Sequence, residues 1–201
     1  TRFIPNGVNR PEIRKAELIT DKFGLTKDSY ILFLGRLVPE KGIRYLIEAF
    51  KNVKTEKKLV IAGGSSDTDS FMKELKELAK DDKRIIFTGF VQGQMLGELY
   101  SNAYIYTLPS DLEGMPLSLL EAMSYGNCCL VSDIQECTEV VEDKALIFKK
   151  SNVQDLQNKL QEACDRTEKV MELKQQAADY ICKKYNWDDV VEETLKLYRR
   201  K

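Results

Sequence analysis

Residues 30–50 read YILFLGRLVPEKGIRYLIEAF, in which one short loop separates two kinds of apolar pattern. The first six residues, Tyr30–Gly35, form an apolar run that ends at a glycine, which is typical of a buried strand. From about Lys41 the apolar residues follow helical spacing, at Ile43, Leu46, Ile47 and Phe50. A buried strand followed by an amphipathic helix is one βα unit of a parallel sheet.

The same unit recurs along the chain. Further strands are predicted at Lys58–Gly63, Arg84–Thr88, Ala103–Leu108, Cys128–Ser132 and Ala145–Phe148. Helices are predicted between them, at Met95–Ser101, at Pro116–Tyr125 and in a polar stretch that carries Phe71, Leu75 and Leu78. After Ser151 the pattern is helical only, over Val153–Arg166, Lys169–Lys184 and Trp187–Arg199. We therefore expect an α/β fold, a single Rossmann-like, doubly wound parallel sheet of about six strands with extra C-terminal helices.

The overall charge and apolar content narrow the range of functions. Of the 201 residues, 43% are hydrophobic and 31% are charged, and the net charge is −1 with acids and bases mixed along the chain. Because no basic stripe is present, we expect no nucleic-acid partner. Apolar runs such as Tyr30–Leu34 are much shorter than the ~20 residues of a membrane span, so no transmembrane segment is predicted.

The cysteine and histidine content narrows the kinds of catalytic and metal site that the chain can form. Five cysteines form no Cys-x-x-Cys pair, which favours neither a disulfide framework nor a zinc ribbon and fits a reducing cytoplasm. Cys128 and Cys129 fall in a predicted buried strand, so we interpret them as core residues rather than nucleophiles. The tyrosines Tyr100, Tyr104 and Tyr106 are likewise interpreted as packing residues. The chain has no histidine, which removes His-based triads and the common catalytic zinc sites.

In open α/β sheets ligands bind beyond the carboxyl ends of the strands, so the loops that follow the strands are the candidate sites. The loop from Gly35 to Gly42 places Arg36 directly after a strand and Lys41 at the start of the next helix. An arginine can grip two oxygens of a diphosphate, and a lysine adds a compact charge near the positive end of the helix dipole. Taken alone, this loop is better explained as carrying two ordinary surface cations.

The loop that leads into the Pro116 helix is the second candidate. Proline suits the first helical position, which leaves the backbone N–H groups of Leu117 and Ser118 free to bind an anion. Glu121 lies less than two turns into this helix, where its carboxylate can accept two hydrogen bonds from a vicinal diol such as a ribose. Glu113 precedes the helix and is expected to face a group in front of its N-terminus. The alternative for both acids is ordinary compensation of the helix dipole.

The turn Thr88-Gly89-Phe90-Val91 ends the third predicted strand and is the third candidate. A nucleobase needs a flat apolar contact and a backbone edge for hydrogen bonds, and a turn of this kind can supply both. Alone, the turn does not identify a ligand.

Together these loops resemble the C-terminal domain of retaining glycosyltransferases of the GT-B fold, specifically the large family 4. The most specific features are the Glu-x7-Glu spacing from Glu113 to Glu121 and the Glu-Ala-Met that begins at Glu121. The other matching segments are Ile4-Pro5-Asn6-Gly7-Val8, Gly35-Arg36 with Glu40-Lys41-Gly42, Ile61-Ala62-Gly63-Gly64, Phe87-Thr88-Gly89-Phe90-Val91 and Pro109-Ser110 with Gly114-Met115-Pro116. The resemblance covers nearly the whole chain in the same order.

The resemblance also implies roles for individual residues. Arg36 and Lys41 would hold the donor diphosphate and Glu113 would touch the donor sugar, so these are the expected catalytic residues. Glu121 would bind the ribose and Val91 would contact the base. The other expected substrate-binding residues are Gly35, Gly114, Met115, Leu117 and Ser118, the last two through backbone N–H groups. The family often has glycine where this chain has Pro116, and a proline removes one N–H donor from the site.

The resemblance further implies that the chain is one half of a GT-B fold. Residues 1–185 are expected to form the nucleotide-sugar-binding domain, and residues 186–201 a terminal helix that crosses to an N-terminal acceptor domain. The 201 residues leave no room for that domain, and Ile4–Gly7 has the character of a connector from something upstream. The expected function is to bind a UDP- or GDP-linked sugar and to take part in its retaining transfer to an acceptor hydroxyl. Without the N-terminal domain, the chain is expected to be inactive.

The expected setting is polysaccharide or glycoconjugate biosynthesis. The full-length enzyme is expected in the cytoplasm or at the inner face of the membrane, with peripheral membrane contact through the missing half. The alternative function is a stand-alone nucleotide-sugar-binding module without transfer activity. A more distant alternative, a sugar-phosphate epimerase, usually requires the histidine that this chain lacks.

No cofactor and no metal are expected. Asp67-Thr68-Asp69 imitates an Asp-x-Asp metal motif, but it precedes a helix, so N-capping is the better interpretation. Gly63-Gly64 is not a Gly-x-Gly-x-x-Gly dinucleotide fingerprint, which makes a nicotinamide dehydrogenase a poor fit.

Overall fold

A computed structural model of the protein describes residues 4–64 and 69–198. The described residues form one six-stranded sheet, with β1 Tyr30–Leu34, β2 Lys58–Ala62, β3 Ile85–Gly89, β4 Ile105–Leu108, β5 Cys128–Ser132 and β6 Leu146–Phe148. The helices are α1 Leu18–Phe23, α2 Ile43–Lys51, α3 Asp69–Ala79, α4 Gly93–Asn102, α5 Leu117–Ser124, α6 Gln135–Val141, α7 Val153–Asp165, α8 Thr167–Lys184 and α9 Trp187–Tyr198. A single turn of 3-10 helix, Pro39–Lys41, precedes α2.

All neighbouring strands of the sheet are parallel, in the order β3-β2-β1-β4-β5-β6. This order confirms the predicted doubly wound fold. The chain builds outward from β1 to β3 and then returns to place β4 on the other side of β1. In such a sheet the crevice that receives a ligand opens where the order reverses, beyond the carboxyl ends of the two central strands.

Alternating side chains of the strands feed two separate apolar cores, one on each face of the sheet. Ile31 and Phe33 of β1 face the core that is covered by α2, α3 and α7. Tyr30 and Leu32 of the same strand face the core that is covered by α1, α4, α5 and α6. Helix α8 serves both faces, since Val170 near its start joins the first core and Ile181 near its end joins the second.

The structure differs from the sequence-based prediction at a few short elements. Helices α1 and α6 were not predicted, because six and seven residues are too few to show helical periodicity clearly. Helix α5 begins at Leu117 rather than at Pro116, because Pro116 has a ψ of 73°, outside the helical range, and serves as the N-cap. Most other boundaries agree within two residues, the usual uncertainty of helix ends.

The described N-terminal segment returns to the end of the chain. The amide of Val8 donates to the carbonyl of Tyr185 over 2.7 Å, just before α9. Gly7 lies against the ring of Trp187, and a Cβ there would come within 2.7 Å of that side chain. None of the described residues of α9 is buried, and Trp187, Val191 and Leu195 are more than 40% exposed on one side of this helix.

Candidate functional site

The loops that follow β1 and β4 meet at the point where the strand order reverses. The amide of Asp111 donates to the carbonyl of Glu40 over 2.8 Å, which joins the two loops through their backbones. Gly42 has a φ of +66°, and a Cβ at this position would overlap the carbonyl oxygen of Pro109. Only glycine tolerates both conditions, so Gly42 lets the start of α2 approach the end of β4.

Lys41 and Glu113, one from each loop, form an ion pair. The ammonium nitrogen of Lys41 lies 2.6 Å from Oε1 of Glu113, and the side chains are only 15% and 6% exposed. The same carboxylate oxygen accepts a hydrogen bond of 2.7 Å from the hydroxyl of Ser110. A carboxylate with little access to water needs such partners to offset the loss of hydration. The two residues were predicted to belong to one site, but sequence spacing did not predict that they contact each other.

Arg36 is one of the residues that line a cleft beyond the carboxyl end of β1. The cleft has a volume of about 340 Å³ and is lined by Leu34, Gly35, Arg36, Gly63, Gly64, Phe90 and Val91. Three of these residues are glycines. Gly63 lies so close to Gly35 that a Cβ on Gly63 would overlap the carbonyl oxygen of Gly35. Arg36 is exposed, and its guanidinium has no hydrogen-bond or ion-pair partner among residues 4–64 and 69–198. Phe90 stands 75% exposed at the same cleft.

The N-terminus of α5 offers fewer free amides than the sequence suggested. The backbone at Pro116, with φ −77° and ψ 73°, makes an inverse γ-turn in which the amide of Leu117 donates to the carbonyl of Met115 over 2.8 Å. The amide of Ser118 has no backbone acceptor within the described part of the chain. Gly114 is exposed in the preceding loop, and Met115 packs against the apolar core below.

Glu121 faces a different cleft. This cleft, of about 280 Å³, is lined by Leu117, Leu120 and Glu121 together with Asn6, Gly7, Val8, Asn9 and Trp187. Glu121 is exposed, and its Oε2 accepts a hydrogen bond of 3.0 Å from the hydroxyl of Tyr100. Thus Arg36 and Val91 share one cleft, Lys41 and Glu113 touch each other, and Glu121 lies in a second cleft formed with the N-terminal segment.

Two tyrosine hydroxyls in the floor of the site were missed at the level of sequence. Tyr100 and Tyr106 are buried, as predicted, but the hydroxyl of Tyr106 donates to Oγ of Ser118 over 2.8 Å and lies 3.2 Å from the carbonyl of Leu34. Burial raises the pKa of both phenols well above the usual value, so both remain protonated hydrogen-bond donors. The available signal was the choice of tyrosine over phenylalanine at buried positions, since a buried hydroxyl needs a partner.

The two adjacent cysteines were predicted to be core residues. Cys128 and Cys129 are buried in β5, and burial raises the pKa of the Cys128 thiol to about 12, which confirms that they are core residues and not nucleophiles.

Asp67 and Thr68 lie outside the described residues, so the N-capping interpretation stays a prediction. Within residues 4–64 and 69–198, no group of three or more cysteine, aspartate or glutamate side chains is placed to hold a metal ion. Among the described helices, none combines the length and apolarity that crossing a bilayer requires.

The fold recurs in a solved structure of similar shape. The crystal structure of Anabaena Alr3699/HepE in complex with UDP and glucose superposes with a TM-score of 0.84 at 17% identity, over 92% of this chain and 52% of that one. At this identity the likeness concerns the fold, and it confirms the Rossmann-like half of a GT-B architecture.

Sequence comparison finds relatives among glycosyltransferases. The uncharacterized glycosyltransferase MJ1607 of Methanocaldococcus jannaschii is 29% identical over 181 residues, which are 86% of this chain and 45% of that protein. The N,N'-diacetylbacillosaminyl-diphospho-undecaprenol alpha-1,3-N-acetylgalactosaminyltransferase of Campylobacter jejuni is 28% identical over 191 residues, 94% of this chain and 49% of that protein. The chain therefore spans about half the length of these relatives.

The family comparison covers the sheet and both loops of the central crevice. The model that describes glycosyl transferases group 1 matches residues 15–180, from before β1 to near the end of α8. Because this match extends over most of the chain, the protein belongs to the group 1 family of glycosyl transferases.

Proposed function

We propose that this chain is the donor-binding part of a retaining glycosyltransferase of the family 4 type. It binds a nucleoside diphosphate sugar, linked to UDP or GDP, and takes part in moving the sugar to an acceptor hydroxyl. The observation that carries the proposal is the crevice between β1 and β4. There a lysine–glutamate pair, an exposed arginine and the start of α5 surround the carboxyl ends of the central strands.

The charges in this crevice suit a diphosphate leaving group. As the bond to the sugar breaks, the diphosphate gains negative charge, so fixed cations and N–H donors stabilise the transition state more than the bound donor. Arg36 supplies a planar fork with no partner among residues 4–64 and 69–198, and the Ser118 amide supplies a donor at the positive end of α5. The amide of Leu117 can join them by leaving the Met115 carbonyl, because a charged phosphate oxygen is the stronger acceptor.

We assign the remaining residues by their position around the diphosphate. Glu113, held by Lys41 and Ser110, contacts the donor sugar with its other carboxylate oxygen. Val91 and Gly35 line the cleft for the base, and Glu121 binds the ribose hydroxyls. Gly114 and Met115, in the loop that leads from β4 to α5, are assigned to substrate binding as well. Because the Anabaena crystal structure is a complex with UDP and glucose, UDP is the first ligand to test.

The assignment of Arg36 is tested by calorimetry with UDP and GDP. Arg36→Ala should weaken binding of the nucleoside diphosphate by about 1.5–3 kcal/mol, the range for hydrogen bonds to charged groups. Lys83→Ala is the matched control, because Lys83 is also exposed but precedes β3, at the opposite end of the strands. Equal affinities of the wild-type chain and Arg36→Ala would remove Arg36 from the site.

We further propose that donor binding needs no metal and no cofactor, because Arg36 and Lys41 supply positive charge to the diphosphate and the amides at α5 donate hydrogen bonds to it. UDP affinity should then be the same in excess chelator as in buffer without it. A large loss in chelator that manganese or magnesium restores would show a metal site that the assignment omits.

The chain covers about half the length of its relatives. We propose that the acceptor binds to a part of the full-length protein outside these residues. We propose that residues 1–185 form the donor domain and that the helix in residues 186–201 packs its exposed apolar side, with Trp187, Val191 and Leu195, against an N-terminal acceptor domain. The relative named for a diphospho-undecaprenol acceptor is consistent with work on glycoconjugates at the inner face of a membrane, with contact through the other half.

A further inference from the structure

Tyr100 lies beneath Glu121 in the second cleft. It belongs to α4, is 1% exposed, and donates its hydroxyl to Oε2 of Glu121 over 3.0 Å. Its ring stacks on Tyr125 with centroids 5.1 Å apart and an angle of 18° between the planes. The side chain of Asn127 donates to its backbone carbonyl over 2.8 Å. Tyr100 is therefore held at its ring and at its backbone, and its hydroxyl has little freedom to move.

Glu121, in contrast, is exposed and has only this side-chain partner among the described residues. A free glutamate side chain occupies several rotamers, and fixing one of them costs conformational entropy. The Tyr100 hydroxyl occupies Oε2 and leaves Oε1 without a hydrogen-bond partner in the described part of the chain. Because burial keeps the phenol protonated, this donor is present at any pH near neutral.

We infer that Tyr100 is a positioning residue that holds the Glu121 carboxylate in the orientation needed to bind the ribose diol of the nucleotide. The inference rests on the proposed function, which places the ribose at Glu121. Tyr100 does not touch the ligand; it acts by reducing the number of carboxylate orientations that the ligand must select. Such preorganisation increases affinity without adding a contact.

The inference is tested by calorimetry with UDP, with the diphosphate of dideoxyuridine, which lacks both ribose hydroxyls, and with inorganic pyrophosphate. Tyr100→Phe keeps the stacked ring and removes only the hydroxyl. We expect it to weaken UDP binding about five- to tenfold, which matches the net strength of one ordinary hydrogen bond, and to leave the other two ligands unchanged. In a Glu121→Ala background, adding Tyr100→Phe should cause no further loss, because the carboxylate it positions is gone.

Tyr125→Phe is the matched control, since it removes a hydroxyl from the other ring of the same stack, one that makes no hydrogen bond to the Glu121 carboxylate among the described residues. It should bind UDP like the wild-type chain. If Tyr100→Phe weakens all three ligands equally, or weakens UDP as much without the Glu121 carboxylate as with it, Tyr100 has only a structural role and the inference is wrong. If the wild-type chain binds neither UDP nor GDP, the proposed function fails and the inference fails with it.

Discussion

In the Lys41–Glu113 pair, the carboxylate would repel the anionic diphosphate that the ammonium group would attract. Glu113 neutralises Lys41 in the free protein, at a contact of 2.6 Å that is largely removed from water. A bound diphosphate would have to share Lys41 with this carboxylate and would also be repelled by its negative charge. Under the proposed function, the Glu113 carboxylate therefore reduces the attraction of the crevice for a nucleotide.

Glu113→Gln should separate these two effects. Loss of the charge leaves Lys41 without its counterion, so we expect the free energy of unfolding to fall by about 1–3 kcal/mol. For the same reason UDP should bind about five times more tightly, with a gain that shrinks as salt rises. Thermal unfolding and calorimetry on one preparation measure both quantities.

Glu40→Gln is the control for this experiment, because it removes an exposed charge from the same loop. It should change neither stability nor UDP affinity by more than about 0.5 kcal/mol. A Glu113→Gln variant that binds UDP more weakly than the wild-type chain would contradict the competition between carboxylate and diphosphate.

Among the secondary-structure elements, α1 depends on a side chain from another helix. Its N-cap residue, Glu17, makes no side-chain capping bond, but Glu98 of α4 accepts from the amides of Glu17 and Ile19 at 3.0 and 3.1 Å. Gln94 donates to the other oxygen over 2.8 Å. Burial of Glu98 opposes its ionisation, but these hydrogen bonds outweigh burial and lower its pKa.

The lowered pKa of Glu98 gives the stability a defined pH dependence. Its contribution is complete above the unfolded pKa of about 4.3 and is lost as the pH falls through the lower folded value. Glu98→Gln should thus be less stable than the wild-type chain at about pH 6, and the difference should shrink toward about pH 3. Urea unfolding across this range measures it, with the exposed Glu56→Gln as control. A difference that stays constant with pH would show that ionised Glu98 is not the cap.

The crossing of the two central loops depends on Gly42. Gly42→Ala would add both a left-handed alanine and an overlap with the Pro109 carbonyl, so we expect a loss of about 3 kcal/mol or more in urea unfolding. Gly93→Ala is the matched comparison, since Gly93 has a φ of +59° but no atom within 4 Å of the added Cβ. It should cost only the roughly 1–2 kcal/mol of the left-handed conformation. Equal costs would mean that the loops can separate at Gly42 without penalty.

At the level of the whole molecule, the proposed donor site lies in a chain that covers only about half the length of its relatives. The chain spans 45% and 49% of two glycosyltransferase relatives, and the outer side of α9 is exposed. Transfer requires that the acceptor be held within reaction distance, and this proximity supplies a large part of the rate.

We therefore expect this 201-residue chain to bind the nucleoside diphosphate but to transfer sugar negligibly. Adding the N-terminal half of the enzyme, in cis or as a separate chain, should restore transfer to a panel of acceptors. Robust turnover by the chain alone would place the acceptor site within these residues. Binding without turnover, even with the other half present, would instead support a nucleotide-sugar-binding module.

Local sequence was sufficient for the strands, most helices and their parallel arrangement. Burial on both faces of a parallel strand demands a continuous apolar run, and a helix that covers it demands apolar residues at helical spacing, so both leave a local signature. The candidate loops were found in the same way, because the topology rule places ligands at the ends of strands. The short helices α1 and α6 lacked enough residues to show a period.

The contacts between side chains of the candidate site could not be predicted from local sequence patterns. Lys41 and Glu113 are 72 residues apart and Tyr100 and Glu121 are 21 apart, on different elements. Their contacts arise because β4 lies beside β1 and because α4 and α5 pack on the same face of the sheet. Such distances depend on how whole elements pack, so residue types and spacing indicate candidate members of the site, whereas the packed sheet determines which of them touch.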